Sequence, residues 1–264
     1  MRVADFAILD ILNPVLSVVD RVLSDSLSLA PVWRIAFFAA LGSLVSMLLF
    51  KKLSNQTELA AVKRQIKQVQ KDLVRPTDGN GGIGRIVRQN LQLSGKQLWL
   101  SFWPALLASI PVLFLLAFSS NQFGVVAAET GSRVHVTPVD LQASPAEFRW
   151  VGVNAQWDAR KQAWTFYQPE PGQTASLLRG DALQLKLPTV VPTHVLHTKQ
   201  WWNVLLANPA GYLEDNTAIA RFEFNTPTPV IIDWGPGWMR GWLFAFMLIL
   251  VVFSVAIKIL WKIH

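Results

Sequence analysis

Polar side chains inside largely apolar stretches are the candidates: Arg34, Ser43 and Ser46 in the first, Ser101 and Ser109 in the second, Ser254 and Lys258 in the third. Charges and hydroxyls are costly in hydrocarbon, so each invites a functional reading, such as hydrating a path for a polar segment. Arg34 is the sharpest candidate. It lies two residues inside Val32, a depth that equally suits an arginine reaching back to the interface. The serines also suit a second role, since small residues let membrane helices pack closely. A separate group of exposed-type cations, Lys63, Arg64, Lys67, Lys71, Arg85 and Arg88, is spaced along one segment. Such an arm could meet anionic headgroups, ribosomal RNA or a polypeptide arriving from the cytosol, or it could be a solvated spacer whose charge fixes topology.

Other chemistry is sparse. His194 and His197 form a His-x-x-His pair, but on a strand positions i and i+3 point to opposite faces, and no further ligand is spaced beside them. The chain has no cysteine, which excludes a disulfide, a thiolate metal site and a cysteine nucleophile. Trp201 and Trp202 suit a ligand pocket, a lipid contact or a core. There is no nucleophile elbow, phosphate loop or diagnostic carboxylate pair. The sequence therefore reads as a non-enzyme, with no catalytic residue, metal site or cofactor.

The elements that position these residues are set by hydrophobicity. Of 264 residues, 52% are hydrophobic and 16% charged, and the mean hydropathy is +0.32, a balance that makes a bilayer the natural solvent. Crossing it takes roughly 20 apolar residues in a helix. Spans are expected at 32–50, at 98–118 and from Trp238 to Trp261, with tryptophans (Trp33, Trp99, Trp103, Trp238, Trp242, Trp261) at the interfaces. Residues 51–97 hold ten basic residues against Glu58, Asp72 and Asp78, while residues 1–32 hold Arg2 and Arg21 against four aspartates. By the positive-inside rule the 51–97 segment is cytoplasmic and the N-terminus outside. Lys258 and Lys262 place the C-terminus inside, which leaves 119–237 outside.

Each segment has its own pattern. Residues 1–31 are interrupted by Asp5, Asp10, Asp20 and Asp25, so they do not read as a signal peptide. Phe6, Leu9, Leu12, Leu16, Val19, Leu23 and Leu27 recur at helical spacing, which predicts an amphipathic helix, bent before Pro14, lying on the outer membrane surface or packed on the outer domain. Leu59, Val62, Ile66, Val69 and Leu73 trace a heptad seam over 54–74. Turn formers from Arg75 to Gly82 reverse the chain, and Ile83, Val87, Leu91 and Leu98 form the returning apolar face of an antiparallel coiled-coil hairpin. From Val125 to Asp233 the period shortens, with strands at 133–137, 147–153, 163–167, 183–187 and 218–224 and a hairpin turn at Trp157–Lys161. Six or seven strands suit a β-sandwich. The fold class is thus a helical membrane protein with three spans, a cytoplasmic hairpin and an extracytoplasmic β-rich domain.

This order of parts resembles the YidC/Oxa membrane-protein insertase superfamily, in its minimal three-span branch, which includes small archaeal YidC-like proteins and the insertase subunit of the endoplasmic-reticulum membrane complex. The resemblance rests on Leu12-Asn13-Pro14 with Asp20 before the first span, Lys51-Lys52 leading into the coil, and the run from Pro104 to Pro111 in the second span. It rests also on Trp238-Met239-Arg240-Gly241-Trp242-Leu243-Phe244 with Ser254 and Ile257-Lys258-Ile259-Leu260 in the third. It covers about 150 of 264 residues. The outer domain is much larger than the matching connection of minimal members, and Met47 is the one methionine near the cytosolic side. The resemblance implies an insertase or assembly factor that offers a polar intramembrane groove to hydrophobic client segments. Arg34, Ser43, Ser46, Ser101, Ser109, Ser254 and Lys258 would line that groove, and the hairpin cations would touch client, ribosome or lipid. Implied partners are the bilayer, nascent membrane proteins, the ribosome and a protein at the outer domain, with the bacterial inner membrane as location. A membrane-anchored scaffold whose β-domain recognises a partner is the competing reading.

Overall fold

The computed structural model describes residues 8–74, 80–141, 143–189, 192–204, 208, 210–215 and 217–263. The expected reversal at 75–82 lies largely outside the described residues, as does Phe6. The chain divides into two compact units, Met1–Arg34 with Ala117–Ala245 and Ile35–Leu116 with Phe246–His264.

The second unit is helical. Its elements are α2 (Pro31–Leu53, entering from Ile35), α3 (Gln56–Val74), α4 (Asn80–Phe123, up to Leu116) and α5 (Trp242–Leu260, from Phe246). Three of the helices, α2, α4 and α5, are long and apolar enough to cross a membrane, so this is a membrane protein. Their apolar windows are only 28%, 11% and 11% buried; most of each apolar surface is left for a nonaqueous solvent, as expected where lipid replaces a core. The three helices meet at Gly42. A Cβ built there would lie 3.3 Å from Leu115 of α4 and 3.6 Å from Leu250 of α5, so a small residue lets the backbones approach. Ser43 beside it donates to the Leu250 carbonyl at 2.8 Å, and Lys51 lies 5.6 Å from the Trp261 ring. These two pairings run in the same sense along the chain, so α2 and α5 are parallel.

Helix α3 buries Leu59, Val62, Ile66 and Val69, the seam read from the heptad. Lys96 of α4 meets Glu58 of α3 at 2.8 Å. The returning face differs from the expected one. Val87, Leu91 and Leu98 are 42%, 67% and 72% exposed, whereas Ile86, Asn90, Leu93 and Gln97 are half-buried. The inward stripe keeps a 4–3–4 spacing but sits one position earlier, because α4 is rotated to meet α3 rather than to hide its most apolar stripe.

The first unit holds α1 (Ile8–Arg21), a π turn (Val22–Ser26), the first residues of α2, the last of α4 and an antiparallel β domain. Helix α1 includes Pro14 within its span. Of its expected face, Leu23 is buried and Leu16 and Val19 half-buried, but Leu12 and Leu27 are exposed, as is the adjacent stripe Ile11, Val15, Val18 and Val22. Among the described residues eight strands form the domain: β1 (Arg133–Val139), β2 (Phe148–Val151), β3 (Gln156–Asp158), β4 (Ala163–Tyr167), β5 (Ala175–Arg179), β6 (Ala182–Leu187), β7 (Val195–His197) and β8 (Arg221–Phe224). They pair as a five-stranded sheet, β3-β4-β1-β8-β7, and a three-stranded sheet, β2-β5-β6. Val134, Val136, Trp164, Phe166 and Phe222 from one sheet and Phe148, Leu177 and Leu185 from the other share one core. Alternation is the reason: β1 buries every second residue, as a half-buried strand must. The expected turn is present, with Trp157 opposite Trp164 across β3 and β4. The expected third span begins later than its sequence suggests, because Trp238 sits in a short 3-10 turn held by Arg240 Nε donating to the Gly235 carbonyl at 2.9 Å. The domain's two ends meet, with Val126 N–H donating to the Pro227 carbonyl at 3.0 Å.

Candidate functional site

The most distinctive polar cluster lies in the first unit and is built on Arg34, in the first turn of α2. Asp20, near the end of α1, is directed at it and is 1% exposed. Arg34 Nε donates to Asp20 Oδ1 at 2.8 Å, and its Nη2 donates to Oδ2. From α4, Gln122 Nε2 donates to the same Oδ2 at 2.8 Å. The guanidinium carbon stands 5.1 Å from the centre of the Phe123 ring. A carboxylate buried this deeply needs several donors to offset its lost hydration, and here three N–H groups supply them. The fork-to-fork geometry is the strongest form of such a pair. The π turn that follows α1 carries the chain round to Pro31 and lets Leu29 N–H donate to the Leu23 carbonyl at 3.0 Å. Ser119, one turn before Gln122 and Phe123 on α4, is buried with its hydroxyl unpartnered among the described residues.

The arrangement contains no nucleophile–base pair. What it does physically is bind three segments, α1, the start of α2 and the end of α4, through one desolvated charge pair. The sequence left Arg34 between a groove position and an interfacial anchor; its side chain is only 15% exposed and its guanidinium is taken by Asp20. Gln122 and Phe123 lie past the expected end of the second span at 118, so the sequence reading missed them. Their signal was the helix continuing through Ser119–Phe123 without a breaker.

The remaining candidates are dispersed. Ser43 is fully buried and bonded to the Ala39 and Leu250 carbonyls at 3.0 and 2.8 Å. Ser109 donates back to the Leu106 carbonyl at 2.7 Å. Ser46, Ser101 and Ser254 are half-buried, and Lys258 is exposed. All six hairpin cations, Lys63, Arg64, Lys67, Lys71, Arg85 and Arg88, are exposed. In the β domain, His194 Nδ1 lies 2.7 Å from Thr226 Oγ1, while the His197 ring packs against Trp202 and Tyr212; each has its own surroundings. Among the described residues no cluster of three or more acidic or histidine side chains could hold a metal. No family model, curated protein or solved structure matches the chain.

Proposed function

We propose that this chain is a membrane-protein insertase or assembly factor of YidC/Oxa type, with the hairpin and C-terminus in the cytoplasm and the β domain outside, in the inner membrane of a bacterium. The observation that carries the reading is the basic hairpin. Helix α4 has 44 residues, a length of about 66 Å at 1.5 Å per residue, more than twice the roughly 30 Å of a hydrocarbon core. Its first half therefore stands clear of the bilayer alongside α3, which together present six exposed cations. Such an arm, a coiled coil continuous with a span, meets anionic headgroups, the ribosome or an incoming client before any segment enters the membrane. In this reading the half-buried Ser46, Ser101 and Ser254 and the exposed Lys258 are the polar groups offered to a client segment. The activity is noncovalent and draws on no cofactor.

Two measurements test it. Cysteines placed at the exposed Gln70 and Asn154 should label from opposite sides of the membrane, and labelling of both from one side would remove the topology on which the reading depends. In reconstituted vesicles, changing Lys63, Arg64, Lys67 and Lys71 to Gln should slow insertion of a single-span client and flatten its salt dependence. A second reading, a membrane-anchored scaffold, is favoured by a cleft of about 610 Å³ in the β domain walled by Trp150, Trp157 and Trp164. Because Val126 and Pro227 are hydrogen-bonded neighbours, residues 127–226 can be replaced by a short Gly/Ser linker. The insertase keeps its activity after that excision, and a scaffold loses all of it.

A further inference from the structure

On the outward face of the five-stranded sheet, away from the core, positive charge gathers in excess of negative. Arg133 and His135 alternate with the buried Val134 and Val136 on β1, and Thr165 and Tyr167 lie opposite them on β4. The turn after β3 brings up Arg160 and Lys161, which with Arg133, His135 and Thr165 line a cleft of about 400 Å³. Asp158 is the one acidic lining residue, and its carboxylate is committed to the turn. Its Oδ1 accepts the backbone N–H groups of Arg160 at 2.9 Å and Lys161 at 3.2 Å, which hold its carboxyl below the usual range, Lys161's N–H foremost.

The cations have neutral partners only. Lys161 Nζ is 3.3 Å from His135 Nε2, whose Nδ1 is 2.9 Å from Thr165 Oγ1. Arg133 donates to the Tyr167 hydroxyl at 3.4 Å. Arg133, Arg160 and Lys161 form no ion pair among the described residues, whereas Arg179 and Arg221 in the same domain rest on Glu147 and Glu223. Burial first, then Lys161 and Arg133, push the pKa of His135 below its ordinary value, with Asp158 pulling the other way. Three cations against one carboxylate in a concave site leave a standing positive potential.

We propose that this cleft binds a phosphoryl oxyanion, with Arg133 and Lys161 as its charged contacts and Arg160 at its rim. A planar guanidinium fork beside a compact ammonium is the donor combination suited to phosphate oxygens. The inference stands apart from the insertase reading, since it requires neither the hairpin nor the spans. The same chemistry is offered by free phosphate and by the headgroup of an anionic phospholipid.

Titration calorimetry on the full-length protein in nonionic detergent distinguishes these sources, with inorganic phosphate as one probe and short-chain phosphatidylglycerol as the other, against short-chain phosphatidylcholine. Saturable binding of phosphate assigns a free-phosphate site, and saturable binding of phosphatidylglycerol without phosphatidylcholine assigns a headgroup site. In either case Arg133→Gln with Lys161→Gln should weaken binding by at least about 10-fold, the loss expected for one charged hydrogen bond. Arg149→Gln with Lys186→Gln, which removes the same charge from exposed positions outside the cleft, should leave it unchanged. Thermal unfolding of both variants reports that the domain is intact. The proposal is overturned if neither probe binds up to about 10 mM, a concentration that fills some nine-tenths of a 1 mM site. It is equally overturned if phosphatidylcholine binds as well as phosphatidylglycerol while phosphate does not, or if the two double variants behave alike.

Discussion

Two regions of this protein handle charge in opposite ways. At the start of α2, Arg34 is drawn into a site where its partner Asp20 is 1% exposed and every donor is aimed. On the α3–α4 hairpin six cations stand in the open, and the one ion pair described there, Lys96 with Glu58, is itself half-exposed. The first arrangement cannot meet a second molecule without being dismantled. The second costs little to form and remains available. A charge near a membrane helix therefore does not by itself mark a site of encounter; burial and partner decide whether it is architecture or contact surface.

Breaking the buried pair should have the largest effect. Arg34→Ala leaves the Asp20 carboxylate desolvated and without its counter-ion, and a loss of about 3–5 kcal/mol is expected from removing one member of a buried pair. Replacing both, as Asp20→Leu with Arg34→Met, should recover most of that loss, since well-packed apolar substitutes remove the desolvation cost too. Chemical unfolding in detergent reads both. A wild-type stability for Arg34→Ala would place the guanidinium at the interface rather than on Asp20.

A smaller loss is expected for Gln122→Leu, which removes one hydrogen bond to a charged group, about 1.5–3 kcal/mol in the same assay. If the loss is negligible, the end of α4 is not part of the cluster. On the hairpin, Lys96→Gln or Glu58→Gln should cost only about 0.2–1 kcal/mol, and less at high salt, as exposed pairs do. A cost equal to that of Gln122→Leu would erase the contrast between the two regions. The smallest effect belongs to His135. Its folded pKa lies below the unfolded value, burial being the main cause, so its contribution is present above the unfolded pKa and is lost as pH falls through the lower folded one. The β domain should therefore become slightly less stable on acidification from pH 7, and His135→Gln should flatten that slope. Thermal unfolding as a function of pH checks it, with an unchanged slope as the contrary result.

Much of this molecule was legible from local pattern. The three apolar helices follow from runs of about 20 residues, the buried seam of α3 from Leu59, Val62, Ile66 and Val69, and the outward placement of Arg133 and His135 from simple alternation on β1. These features depend on neighbours one to four positions away, and the sequence contains that information directly. Two antiparallel sheets with β5 and β7 as further strands were less legible, because Ala175–Arg179 and Val195–His197 are short and weakly patterned.

What the tertiary structure alone decided is which stripe of a helix meets protein and which charges find each other. On α1 two apolar stripes lie side by side, and periodicity cannot say that Leu23 is buried while Ile11, Val15, Val18 and Val22 stay open. On α4 the inward stripe is set by the rotation that meets α3. Arg34 looked like a lone charge because its partners are 14 residues away in Asp20 and, through Asp20, a further 102 residues on in Gln122. The sequence determines how much each helix must hide and how many charges it carries. Only three-dimensional packing, by removing water from one carboxylate and not from the hairpin cations, determines which of those charges must be paired.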